Sequence, residues 1–327
     1  MPELPPTIIP PPQSRTLPWH QSAWRSLHTL FQGGRLPHAM LLEGQPGTGR
    51  NRLALALARF LLCSQPGVEG NCGECKTCTL SASGALPDLL SVGPAEEGKA
   101  IGINAIREVI RFAAGTPSLG RYKVILITPA ESLTTAAFNA FLKCLEEPAS
   151  ETFIILVSAR GFPLPATIRS RCQRWQLPSP EEEAAQEWLK KELGQQAEAD
   201  GAASAMLELC NGRPLDALSK LQGEEREPLL AMHRCAREVL HQGRKSTLLE
   251  QAVAGVEPDS ALDAMESALQ RWLRELPAAR LRTVEAQRGF GALDTIGRLR
   301  AAKRSGTNPN VDLLRFSATS ALNGLWE

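Results

Sequence analysis

Residues 38–62 read HAMLLEGQPGTGRNRLALALARFLL. The stretch divides into a short apolar run, a glycine-rich turn and a helix-forming run. A strand that passes through such a turn into a helix N-terminus gathers backbone N–H groups into an anion-binding nest. The phosphate-loop pattern is G-x-x-x-x-G-K-[ST]: its lysine meets the terminal phosphates and its hydroxyl holds a magnesium ion. Here Gly44, Gly47 and Gly49 keep the glycine framework, but Arg50 stands for the lysine and Asn51 for the hydroxyl. Arg50 keeps the charge in a bulkier, planar donor. Asn51 offers no hydroxyl to a metal. The second half of such a site is an acid closing the next core strand. That strand, KVILIT at 123–128, ends in Thr128 and Pro129, and the nearest acid, Glu131, comes two residues too late. The turn is therefore expected either to serve packing or to retain weak nucleotide binding, with hydrolysis lost and ATP not bound productively.

Outward from this stretch, strand-like and helix-like segments alternate. DLLSV (88–92), YKVILIT (122–128) and TFIILVS (152–158) are apolar without a period of two, which predicts parallel strands covered on both faces. INAIREVIRFAA (103–114) places Ile103, Ile106, Val109 and Ile110 on one helical face. TTAAFNAFLKCLEEP (134–148) turns Phe138, Phe141, Leu142 and Leu145 inward and stops at Pro148. After RWQLPSPEEE the strands cease. SPEEEAAQEWLKKEL (179–193) predicts a helix with Ser179 as N-cap. NGRP (211–214) is a break, and LLAMHRCAREVL, ALDAMESALQRWLREL and VDLLRFSATSALNGLW carry apolar residues at helical spacing. No repeat of fixed period is present.

LLCSQPGVEGNCGECKTC (61–78) brings Cys63, Cys72, Cys75 and Cys78 into one loop. Four thiolates with two-residue gaps and intervening glycines suit tetrahedral Zn²⁺ in a closed, structural site. Reduced free thiols or a redox pair are the alternatives. Cys144, Cys172, Cys210 and Cys235 are scattered and read as ordinary packed thiols.

The 327 residues carry a net charge of +1, with 43% hydrophobic and 22% charged residues. That balance fits a soluble protein of about two domains and gives no global field for nucleic acid. There is neither an apolar run of membrane-spanning length nor a signal-peptide pattern. A cytoplasmic protein with a flexible, proline-rich leader is expected.

The order of phosphate loop, four-cysteine insertion, LPDLLSV, INAIREV, AFNAFLKCLEEP and TIRSRCQ resembles the clamp-loader family of AAA+ proteins over about residues 18–218. The residues divide into a flexible leader at 1–17, an α/β domain at 18–176 with the cysteine insertion at 63–78, a small helical domain at 177–222 and a helical C-terminal bundle at 223–327; the resemblance makes the last two a lid and a collar. It makes Arg171, in Ser170-Arg171-Cys172, an arginine finger reaching the ATP of a neighbouring subunit. The residues alone suggest an ion pair at a strand edge, with Arg169 and Arg174 as surface or support charges. In GRPLDAL (212–218) Leu215 occupies the place of the motor subunits' nucleotide-sensing arginine, and Arg213 comes two positions early. Ser158 matches the end of the sensor strand. The pattern implies a stator: a non-catalytic subunit of the DNA polymerase III holoenzyme, a nucleotidyltransferase complex. Its partners would be the gamma/tau motor subunits, delta, the beta sliding clamp and primed DNA. An active motor ATPase with a divergent loop is the alternative. A zinc module binding DNA alone is disfavoured by the near-neutral charge. Lys143 either approaches DNA or solvates its helix, and Trp19 and Trp24 are expected in the core rather than as docking anchors.

Overall fold

The computed structural model describes residues 13–96, 98–147, 151–162, 164–194, 201–243, 247–304 and 311–326. Most of the proline-rich leader and the helix stop assigned to Pro148 lie outside these. Five strands, β1 (Ala39–Gly44), β2 (Leu89–Val92), β3 (Lys123–Ile127), β4 (Thr152–Ala159) and β5 (Gln173–Gln176), pair in parallel in the order β2-β3-β4-β1-β5. Their apolar runs lack alternation because each face is covered. Ala39, Leu41, Ile125, Ile127, Ile154 and Leu156 point into one core beneath α4 (Ile103–Ala114) and α5 (Thr135–Glu146). Met40, Leu42, Val124, Leu126, Ile155 and Val157 point into the other, beneath α1 (Gln21–Gln32) and α2 (Arg50–Leu62). The register aligns Gly44 with Ala159 and Leu41 with Arg174. Chain order reverses around β1, so the strand ends flanking it form the crevice where open α/β sheets bind ligands.

The helices follow from local chemistry. Thr134 caps α5, its side chain accepting from the Ala137 N–H at 3.2 Å. Phe138, Phe141 and Leu145 are buried as the spacing predicts, with Leu142 half-buried. In α4 the stripe is Ile106, Val109 and Ala113, while Ile110 is 37% exposed. At ~100° per residue Ile110 stands about 40° beyond Ile106 and leaves the stripe at its far side. The polar edge strand β5 and helices α1, α3 (Lys76–Ala82) and α6 (Ala166–Arg169) add to what the sequence outlined.

Residues 13–17, placed by sequence within a flexible leader, are packed. Leu17 is buried and the Ser14 N–H donates to Asn71 Oδ1 at 2.9 Å. Trp19 and Trp24 are buried as expected.

Two compact units result, Met1–Pro180 and Glu181–Glu327. The second is helical: α7 (Glu182–Leu193), α8 (Ala202–Leu209), α9 (Pro214–Gln222), α10 (Arg226–Gln242), α11 (Thr247–Ala254), α12 (Pro258–Glu275), α13 (Val284–Arg304) and α14 (Val311–Asn323). The cap of α7 is Glu181, not Ser179, whose hydroxyl donates to Gln45 Oε1 at 3.0 Å instead. The NGRP break is present, with Asn211 and Gly212 at φ 52° and 74° and Pro214 opening α9. Among the described residues no helix is long and apolar enough to cross a membrane.

His20 is fully buried and neither ring nitrogen has a hydrogen-bond partner among the described residues. Burial lowers its pKa to about 4. The folded protein therefore keeps the ring neutral where the unfolded chain, with a pKa of about 6.5, takes up a proton. Stability should be flat above that pH and fall by about 3 kcal/mol as pH drops toward 4. His20→Leu should flatten this acid arm without loss at neutral pH, as read by urea unfolding across the range.

Candidate functional site

At the end of β1 the chain turns through Gln45–Gly49 into α2. Gly47 and Gly49 have φ of 71° and 93°, in the region where a side chain is strained. Two bonds fix the turn: Thr48 Oγ1 donates to the Gln45 carbonyl at 2.7 Å, and Trp19 Nε1 donates to the Thr48 carbonyl at 2.8 Å. The Arg50 side chain folds back over the turn. Its Nη1 donates to the Gly44 carbonyl at 3.1 Å, and its Nη2 lies 3.9 Å from Glu131 Oε1. That same carboxylate oxygen accepts the Ala159 N–H at 3.0 Å. Thr128 Oγ1 donates to Asn51 Oδ1 at 2.9 Å. Of the departures from the phosphate-loop pattern, Asn51 and Thr128 thus meet each other at the strand ends, and Arg50 faces the nearest acid, Glu131. Glu131, too late by strand counting, is returned to the site by a 3-10 turn, Ala130–Ser132. Ser158 is fully buried next to Ala159 at the end of β4, its hydroxyl directed at the Ala159 carbonyl at 3.4 Å.

The far end of α2 carries the second site. Cys63 follows its last turn, Cys72 and Cys75 lie in the loop, and Cys78 sits in the first turn of α3. All four sulfurs lie within 4.8 Å of one another. The Cys63–Cys75, Cys72–Cys78 and Cys63–Cys78 separations are 3.8, 3.9 and 3.7 Å. A tetrahedron with ligands at ~2.3 Å has edges of about 3.8 Å. The sulfur positions therefore fit one tetrahedral metal ion and lie too far apart for disulfides. Backbone N–H groups of Gln65 and Cys72 point at Cys63 Sγ at 3.4 and 3.3 Å, and that of Cys75 at Cys72 Sγ at 3.3 Å. Such donors favour the thiolate form that a metal requires. Without metal the thiols diverge. Burial pushes Cys63 up to about 12, while at Cys75 the effect of burial is outweighed by hydrogen bonds from Ser64 and Thr77, which bring it down to about 5.

Sequence reading overlooked Arg59. It interrupts the apolar face of α2 and is 2% exposed. Its Nε donates to Ser81 Oγ at 3.0 Å and its Nη1 to Ser14 Oγ at 3.0 Å. Burial lowers its pKa, opposed by the nearby Cys78 thiolate. A guanidinium keeps its charge in such surroundings and so would offset part of the excess negative charge of four thiolates were a divalent ion bound there. The signal was available: a lone basic residue within LALALARFLL, four before the first ligand.

Arg171 follows α6 and precedes β5. Its Nε donates to Glu146 Oε1 at 2.6 Å, its Nη2 pairs with the same oxygen, and its Nη1 donates to the Thr167 carbonyl at 2.9 Å. The side chain remains 31% exposed. Arg174 pairs with Glu43 at 2.8 Å, a support charge on the end of β1, and Arg169 is exposed. Lys143 is exposed on α5. Cys144, Cys172 and Cys210 are buried, and burial pushes Cys172 up to about 12. In the helical unit Arg213 is tied to the Cys210 carbonyl at 2.8 Å and to Asp216 at 3.1 Å, and Leu215 is half-buried.

The parallel order around β1, the glycine turn into α2 and the helical second unit define a P-loop protein of the AAA+ class. The fold is shared with a DNA polymerase III gamma subunit-related protein of Thermotoga maritima, at a TM-score of 0.55 and 23% identity over 92% of this chain and 99% of that one. The family profile described as "DNA polymerase III, delta subunit" matches residues 19–181. DNA polymerase III subunit delta' of Escherichia coli K12 is 39% identical over 210 residues, 64% of this chain and 62% of that protein. The delta' subunit of Yersinia pestis is 36% identical over 236 residues, 72% of this chain and 69% of that protein. The chain belongs to the delta' family of DNA polymerase III subunits. The aligned stretch spans less than two thirds of the Escherichia coli subunit.

The cluster predicts one equivalent of divalent metal in the purified chain by elemental analysis, and none after Cys72→Ser with Cys75→Ser. At free metal a thousandfold above Kd the natural chain should exceed that variant in stability by roughly 4 kcal/mol.

Proposed function

We propose that the chain acts as the non-motor, stator subunit of a clamp loader, with a nucleotide site that no longer turns over ATP. The observation that carries this reading is the state of its own phosphate loop. Arg50 is drawn onto the Gly44 carbonyl and toward Glu131, and Asn51 is bonded by Thr128, while Arg171 stays partly open to solvent. The side chains that would meet phosphate and magnesium in a working site are engaged with one another. The hydroxyl ligand is absent, and the carboxylate at the strand end faces a guanidinium and a backbone N–H.

Arg171 would then serve a neighbour. Its ion pair with Glu146 is at the surface, and such pairs contribute about 0–1 kcal/mol. An arginine finger accelerates phosphoryl transfer by 10³–10⁵, about 4–7 kcal/mol of barrier. Exchanging the Glu146 carboxylate for phosphate oxygens is therefore affordable, and until then Glu146 and the Thr167 carbonyl hold the guanidinium near the rim.

In this reading the cysteine cluster holds structural Zn²⁺: four thiolates leave no open position for substrate. Residues 177–222 act as a lid and 223–327 as a collar that joins the ring. The partners are the gamma/tau motor subunits and delta. Together they place the beta clamp on primed DNA in the cytoplasm.

Reconstitution with motor subunits and delta tests the proposal. Arg171→Ala should lower DNA- and clamp-stimulated ATP turnover at one site by about 10³ or more, so the complex loses part of its total rate while assembly by gel filtration is unchanged. Full turnover in that variant, or magnesium-dependent turnover by the isolated chain that Arg50→Ala abolishes, would overturn it.

A further inference from the structure

We propose that the four-cysteine loop is the docking site for the chain's own N-terminal strap, residues 13–19, and that the metal held there steadies the phosphate loop through that strap. The inference rests on the reading of Cys63, Cys72, Cys75 and Cys78 as a metal site.

The loop offers the strap a bare backbone. Gly70 and Gly73 have φ of 141° and 83°. A Cβ at Gly73 would lie 3.0 Å from Gln13 Cβ and 3.3 Å from the Gln13 nitrogen, and one at Gly70 would lie 3.2 Å from the Ser14 carbonyl oxygen. Only glycine lets the two backbones approach this closely. The buried Asn71 bridges strap and ligand: its Oδ1 accepts the Ser14 N–H at 2.9 Å and its Nδ2 donates to Cys78 Sγ at 3.1 Å. Arg59 adds a bond to Ser14 Oγ at 3.0 Å from beside the same sulfur. Beyond Ser14 the strap buries Leu17 and ends at Trp19, whose indole N–H holds the Thr48 carbonyl at 2.8 Å. It thus runs antiparallel to α2, from the cysteine loop at one end to the phosphate loop at the other. Trp24 Nε1 holds the cysteine loop from α1 through the Val68 carbonyl at 2.9 Å.

The cause is ligand closure. Between Cys63 and Cys75 the backbone bonds joining this loop to itself are the Gly67–Gly70 pair at 2.8 and 3.3 Å among the described residues. Drawing the sulfurs together therefore adds to the Trp24 bond on Val68 in fixing the position of Asn71. Loss of the metal removes that closure, frees Asn71 from Cys78 and releases Ser14, leaving Trp19 on the phosphate loop without its upstream anchor.

Arg15 is exposed within the strap, so trypsin reports the release: cleavage after Arg15 requires the strap to leave its seat. The full chain is compared with zinc bound, after chelation, and as zinc-loaded Ser14→Pro, which lacks both the donor to Asn71 and the hydroxyl that meets Arg59. Metal content is measured on each sample, and rates are normalised to the urea-unfolded chain. Chelation and Ser14→Pro should each raise cleavage at Arg15 about tenfold or more, Ser14→Pro with its zinc intact. Unchanged cleavage in the zinc-loaded Ser14→Pro chain overturns the docking. Unchanged cleavage after verified zinc loss overturns the coupling. A purified chain that binds no zinc under any loading overturns the metal reading instead, with Ser14→Pro still deciding the docking. Should chelation unfold the whole unit, the zinc-loaded Ser14→Pro chain decides the docking, and zinc-loaded Asn71→Ala, which cuts the bridge from Cys78 Sγ to the Ser14 N–H, decides the coupling: unchanged cleavage there overturns it.

Discussion

Helix α2 buries Leu53, Ala54, Ala56, Leu57, Ala58, Phe60, Leu61 and Leu62, and a helix packed on so many sides cannot slide or rotate without opening cavities. Interiors at crystal-like density resist such shifts. Its N-terminus is the phosphate loop and its C-terminus delivers Cys63. The two sites are therefore about 20 Å apart by helix rise yet fixed to one rigid rod, and the rod lies against the sheet face formed by Met40, Leu42, Val124 and Ile155. The remaining site geometry follows from where this rod ends.

Four arginines of the α/β unit show how surroundings decide what one side chain does. Arg50 lies over a glycine turn with a carboxylate at 3.9 Å and is held as a strut. Arg59 is enclosed beside a sulfur cluster, where an unpaired cation would be costly, and hydroxyls satisfy its donors. Arg174 anchors the edge strand to Glu43. Arg171 differs in its partner: Glu146 is 46% exposed, whereas Glu131 and Glu43, which face Arg50 and Arg174, are 15% and 12% exposed, and a guanidinium paired with a solvated carboxylate can exchange partners at small cost.

Much of the architecture was legible in the residues. Runs such as KVILI and TFIILV lack alternation because both faces of a parallel sheet are dry, and that pattern survives in sequence whatever the pairing order. Polar or marginal elements were not legible. QRWQ pairs with the edge that β1 offers, and Ile110, apolar like the buried residues of α4, stands about 40° past Ile106 at the margin of the stripe. Ser179 has the chemistry of an N-cap but bonds Gln45, a partner distant in the chain.

Sequence by itself determined the parallel α/β class, the four-cysteine cluster, and the absence of lysine and hydroxyl from the phosphate loop, since each depends on residue identity at short spacing. Tertiary structure alone decided that Glu131 returns to the loop, that Thr128 meets Asn51 across 77 positions, that Arg171 lies on Glu146, and that Arg59 and Ser14 belong to the cysteine cluster. These pairs are separated by tens of residues, and their meeting is set by strand order and by the burial of α2, which no local pattern encodes.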